Sequence, residues 1–135
     1  MKKIKIGVIT ILIFISSFFL IKKQQYTQLV KQEMSQYTDS HIVDSQEIDN
    51  TKLSYQWINN QYIYQIKLKK TDKTTYITLH YDVPQTILTS VFQPSVKPFQ
   101  PNIYTHFNGK TIDFDNQLTI DIFKNVSFKH SFSSK

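Results

Sequence analysis

The chain has no cysteine, no alanine and no arginine, and only two glycines, in 135 residues. Without cysteine there are no disulfides, no thiolate metal sites, no cysteine nucleophile and no lipid-modified cysteine anchor, so a folded body outside the cytoplasm must rest on packing alone. Without arginine the bidentate contacts to phosphate, carboxylate and guanine are gone. The glycines are Gly7 and Gly109, which leaves none for a phosphate cradle or a G-x-S-x-G elbow, and there is no S-x-x-K box. These absences argue against an enzyme and against a cofactor.

What is present first is a long apolar run. From Ile6 to Ile21 the only polar side chains are Thr10, Ser16 and Ser17, with Lys2, Lys3 and Lys5 before the run and Lys22 and Lys23 after it. As a helix, Ile4 to Ile21 spans about 27 Å, close to the ~30 Å hydrocarbon core of a bilayer. Flanking lysines can snorkel to the headgroups. A cleaved secretory signal is the rival reading, but cleavage needs small residues after the run, and Phe18-Phe19-Leu20-Ile21-Lys22-Lys23 is bulky and charged. An uncleaved signal anchor over 6–21 is expected, with residues 1–5 cytoplasmic and the remainder outside; the lysine balance favours that orientation only slightly.

Net charge is +6, which invites a nucleic-acid reading. The excess belongs to the anchor: beyond residue 23, eleven lysines face ten acids, a net +1. Nucleic acid is therefore not an expected partner, since phosphate binding needs the basic excess on the folded body. Abundant Lys, Ile, Asn, Tyr and Phe beside absent Ala and Arg fits the coding bias of a low-GC bacterium.

After the run, Tyr26, Leu29, Val30, Met34 and Tyr37 share one helical face. Residues 22–38 are thus expected to extend the membrane helix as an amphipathic stalk covering a sheet, with Asp39-Ser40 ending it. From there the period becomes 2. Residues 41–48 make a weak strand; Leu53, Tyr55 and Trp57, then Tyr62, Tyr64, Ile66 and Leu68, then Thr75, Ile77, Leu79 and Tyr81 alternate as a three-stranded meander. The alternation ends at Pro84, residues 85–92 suit one or two helical turns or an irregular edge equally, and Pro94, Pro98 and Pro101 then mark a strap without a regular ladder. Asn108-Gly109 then predicts a type I′ hairpin pairing Ile103 with Phe114 and Thr105 with Ile112. Strands are expected at Leu118–Ile122 and Val126–Phe132. The class is α+β: a membrane helix, an amphipathic extension and a β-rich domain over 39–135 of two meanders joined by the strap, as one curved sheet or two layers.

No residue pattern carries reaction chemistry. His41, His80, His106 and His130 lack helical or H-x-H ligand spacing, and His106, opposite Thr111 and near Asp113, reads as a solvent-side strand histidine. Asp113, Asp115 and Asp121 read as a solvated sheet face rather than a calcium site, for want of a glycine-bearing loop. Tyr62 and Tyr64 share a face with Ile66 and Leu68 and are assigned to the core, leaving Trp57 and Tyr76 as the aromatic binding candidates. Lys67, Lys69, Lys70 and Lys73 cluster at a turn, where they would meet anionic lipid or wall polymer or guard a strand edge.

A basic N-terminus, a single span and a small β-rich ectodomain make a layout that is similar to many envelope proteins of low-GC Gram-positive bacteria, including immunity proteins and secretion or conjugation accessories. A pilin plan fails for want of a Gly-aromatic processing site followed by Glu. The expected function is a tethered, non-enzymatic domain binding an envelope or secreted protein at the outer face, or alternatively a module sensing wall polymer, lipid headgroup or cation.

Overall fold

The computed structural model describes residues 2–71, 74–83 and 99–129. One unbroken helix, α1 (Lys2–His41), is followed by β1 (Ile48–Gln56), β2 (Gln61–Leu68), β3 (Tyr76–Asp82), β4 (Asn102–Phe107), β5 (Lys110–Asp113) and a short α2 (Gln117–Ile122). The strands form a single antiparallel sheet in the order β1-β2-β3-β4-β5. The first expected meander and the Asn108-Gly109 hairpin therefore belong to one sheet, joined where Tyr76 to His80 pairs with His106 to Asn102. Asn108 and Gly109 take the positive φ that the tight β4–β5 turn requires, and Thr105 pairs with Ile112 as expected.

The outer half of α1 is seated on the sheet. Tyr26, Val30, Met34 and Thr38, four residues apart, are all buried, with Leu29 and Tyr37 partly covered beside them. They meet Tyr62, Tyr64, Ile66 and Leu68 of β2 and Ile77, Leu79 and Tyr81 of β3, so both tyrosines of β2 are core. Complete burial of a side chain of this size contributes about 1.5–3 kcal/mol, which makes the stripe the main bond between helix and sheet. Beyond the helix end, Phe128 meets Phe114 and Phe123 edge-on at 5.4 and 5.6 Å. The other half of α1 is bare, with Ile4, Ile6, Phe14 and Leu20 each more than 60% exposed. By length and composition it is apolar enough to cross a membrane.

Three expectations are corrected. The stalk does not stop at 38, because Thr38 and Ser40 return their hydroxyls to the carbonyls of Met34 and Gln36 at 2.8 Å and so ride inside the helix instead of capping it. Residues 41–47 are accordingly no strand; a lone bridge from Val43 to Phe128 and a 3₁₀ turn over Ser45–Glu47 lead into β1, which begins at Ile48. Leu118–Ile122 is helical, since the Asn116 side chain caps it by accepting from Leu118 N at 3.0 Å. The buried positions there are Thr119 and Phe123, spaced four apart, while Leu118 and Ile120 are exposed. Of the last expected strand only the Phe128 bridge is seen, and His130 and Phe132 lie outside the described residues, as do Pro84, residues 85–92, and Pro94 and Pro98 of the strap. The strap's end is described: Phe99 packs on Tyr37 and Tyr81.

Met34→Ala removes a fully buried side chain from the centre of the stripe and is expected to lower stability by about 2–5 kcal/mol, whereas Met34→Leu should cost under about 1.5 kcal/mol. Denaturant titrations followed by near-UV circular dichroism measure both. Equal midpoints for the two variants would mean that the helix is not seated on the sheet.

Candidate functional site

Strand alternation sends one set of side chains away from the helices. Ile63 of β2, Tyr76, Thr78 and His80 of β3, and Tyr104 and His106 of β4 occupy the sheet face opposite α1. On the helix side, α2 also packs, its Thr119 hydroxyl bonded to that of Thr105 at 3.0 Å. Among the described residues, this open face is left to its own side chains. Tyr76 stacks on His106 with centroids 4.7 Å apart and planes 12° from parallel, and His80 meets Tyr104 edge-on at 4.8 Å.

A hydroxyl ties the two imidazoles together. Thr78 Oγ1 lies 3.1 Å from His80 Nε2 and 2.9 Å from His106 Nε2, while Thr111 Oγ1 lies 3.1 Å from His106 Nδ1. One hydroxyl has one proton, so when Thr78 donates to either ring the receiving nitrogen must be bare. Burial holds both imidazoles below their ordinary pKa, and for His80 the neighbouring His106 adds to the effect against a smaller opposing pull from Asp82. The bonded network is therefore one of neutral rings at neutral pH.

Chemically this arrangement joins one hydroxyl to two imidazoles. A hydroxyl and an imidazole do meet, but the third partner of His106 is Thr111, not a carboxylate. Thr78 is only 3% exposed and sits in a strand paired on both sides, whose backbone N–H groups are committed to the ladder. No group of three His, Asp or Glu side chains able to hold a metal ion converges among the described residues. Asp113 ends β5 and Asp115 follows in a turn; both border a shallow depression of ≈ 370 Å³ shared with Tyr37, Ile103, Tyr104 and Phe114. Asp121, expected on a strand beside them, is on α2.

Compared with protein-family models, characterised proteins and solved structures, the chain matches none. Its own geometry must carry the functional reading.

The residues singled out from sequence do not form one cluster. Trp57 is 62% exposed in the β1–β2 turn. Tyr76 is half-buried in the stack just described. Lys67, Lys69 and Lys70 lie at the far end of β2, about 23 Å of strand from Gln61, and Lys73 lies outside the described residues. Two of these lysines have internal partners: Lys67 Nζ donates to Thr75 O at 3.2 Å, and Lys70 Nζ donates to Asn125 O at 3.3 Å and lies 3.6 Å from Glu47. Sequence reasoning set His80 aside on spacing and missed Thr78. Their spacing of two was visible, but the ring that completes the network arrives from β4 across the long β3–β4 connection.

The histidine pair has a measurable consequence. Since the folded pKa of each ring is lowered, its contribution is complete above the unfolded value near pH 6.5 and is lost as the pH falls from there through the folded value. Unfolding midpoints should drop between about pH 7 and pH 5, and a His80→Gln, His106→Gln double variant should flatten that drop. An unchanged slope in the double variant would show that the network does not hold neutral rings.

Proposed function

We propose that this chain is a membrane-tethered, non-enzymatic binding domain that takes a protein partner on the open sheet face around Tyr76, His106, Tyr104 and His80, in the manner of an immunity protein or an envelope or secretion accessory. The bare apolar half of α1 supports the tether. The orientation that goes with it, N-terminus inside and the β domain outside, follows from the flanking lysines and the length of what comes after them.

One observation carries the binding surface: half-buried aromatic and imidazole rings, already stacked in pairs and bonded through Thr78, lie beside half-buried Ile63 on the face that neither helix covers. Tyrosine is enriched among residues that dominate binding energy, and rings held in place lose little rotamer freedom on association. With only +1 of net charge beyond residue 23, recognition here rests on contact rather than long-range attraction.

A ligand-sensing module is the second reading, favoured by the depression bordered by Asp113 and Asp115; it requires that a divalent cation or wall polymer raise the melting temperature.

The test places a photo-crosslinking residue at Tyr104 in intact cells. A discrete adduct is expected that Tyr76→Ala weakens by about tenfold or less, the size of a single interface truncation of ~1 kcal/mol, and that the same probe at exposed Gln32 of α1, on the other side of the sheet, does not form. Equal labelling from Tyr104 and Gln32, in protein that is folded and membrane-bound, refutes the surface.

A further inference from the structure

The β1–β2 turn is built of polar residues that hold it and apolar residues that leave it. Asn59 Nδ2 donates to Gln56 Oε1 at 3.2 Å, Tyr55 Oη donates to Asn60 Oδ1 at 2.6 Å, and Asn60, at φ 48°, receives the backbone N–H of Val83 at 3.0 Å. Between these ties Trp57 is 62% exposed and Ile58 is 96% exposed, barer than any large apolar residue of the bare half-helix. A tip facing only water would carry polar residues at no cost. These two need a covering medium.

The turn's height along α1 says which medium. Lys23 Nζ sits 4.2 Å from the centre of the Trp57 ring and 5.4 Å from that of Tyr55. Lys23 is two residues past Ile21, the last of the apolar run, or about 3 Å along the helix axis. The ring is also tied back to the core, through Tyr55 at 5.2 Å and Tyr62 at 4.9 Å to Tyr26 at 5.9 Å, so its height is fixed by packing. Phe19, inside the run, already packs against the core cluster. The folded body therefore begins at the level where the hydrocarbon ends, in the interfacial layer of roughly 5–8 Å that separates acyl chains from water. Indole is the side chain that partitions to that layer, and Lys23 beside it, with Lys22 preceding it on the helix, matches anionic headgroups.

We propose that the β1–β2 turn is a membrane foot: Trp57 lies in the headgroup layer of the leaflet from which α1 emerges, and Ile58 reaches the top of its acyl chains. The domain is then held at two points, the helix and the turn, so it can neither tilt freely nor rotate about α1. This rests on α1 spanning the bilayer, and the test separates the two claims.

Trp57 is the chain's only tryptophan, so its fluorescence reports the turn alone. The full chain is reconstituted into vesicles of zwitterionic and anionic phospholipid, with quenchers attached near the headgroup end or near the methyl end of the acyl chain. Expected are a blue-shifted emission, stronger loss with the shallow quencher than with the deep one, and protection from aqueous iodide. Ile58→Asp, at a side chain nine-tenths bare, should shift the emission to the red and admit iodide while the protein resists alkaline carbonate extraction. Red, iodide-accessible emission from unsubstituted protein that resists extraction refutes the foot and leaves the span standing. Release of the protein by carbonate refutes both. Blue emission that responds to protein concentration and ignores both lipid quenchers assigns the turn to a contact between copies, which also overturns the proposal.

Discussion

The structure depends on one rod with two surfaces, an apolar half long enough to cross a bilayer and a half seated on the sheet. α1 runs without interruption from Lys2 to His41, so no hinge separates the half suited to lipid from the half that carries Tyr26, Val30, Met34 and Thr38 onto the sheet. A helix turns by about 100° per residue, and that stripe therefore fixes which side of the bare half faces any given direction. Whatever orients the span orients the sheet. Neither half is stable in the other's surroundings: the stripe lifted from the sheet would expose β2 and β3 to water, and the bare half outside lipid would be a large apolar surface.

From this seating the two ends of the strands acquire different roles. Tyr62 at the start of β2 meets Tyr26 and bonds Thr27 at 3.0 Å, which brings the β1–β2 turn and the end of β3 beside the place where the apolar run stops. At the opposite end, Lys70 reaches Glu47 and Asn125, and Lys129 closes the far end of α1 by donating to Asp39 O and meeting Asp44 at 2.7 Å. The Asp44 carboxylate raises the Lys129 pKa, first through that hydrogen bond. A cation on the last carbonyls of a helix also suits its dipole. Lysine thus acts twice over, once as the boundary marker of the apolar run and once as a clasp on the distal loops.

How much of this was legible depended on whether the signal was local. The apolar run, the amphipathic stripe, the burial of Tyr62 and Tyr64 and the Asn108-Gly109 hairpin all follow from periods and turn chemistry within a few residues. The failures were local conflicts decided by a bond that the period does not show. Thr38 and Ser40 had hydroxyls free to cap, yet gave them to carbonyls one turn back; Leu118, Ile120 and Ile122 alternate like a strand, yet Asn116 starts a helix through them. The open face was illegible for another reason. Thr78 and His80 become a site only when His106 arrives on the neighbouring strand, and nothing in the spacing of β3 and β4 along the chain announces that pairing.

That face is also where the residue choices are hardest to account for by stability alone. A sheet surface meant only for water is satisfied by lysine, glutamate and threonine, which need no partners. Here two imidazoles are partly desolvated, lowered in pKa, and bonded through a single threonine hydroxyl whose one proton forbids charging the ring to which it donates. Such a network narrows the pH range in which it is complete and adds little that a leucine or valine would not add by packing. What it does provide is a set of rings beside Ile63 whose positions are settled by their own stacking and hydrogen bonds. Order of that kind lowers the entropy lost on any association at that face, which is the physical ground for the binding surface proposed there.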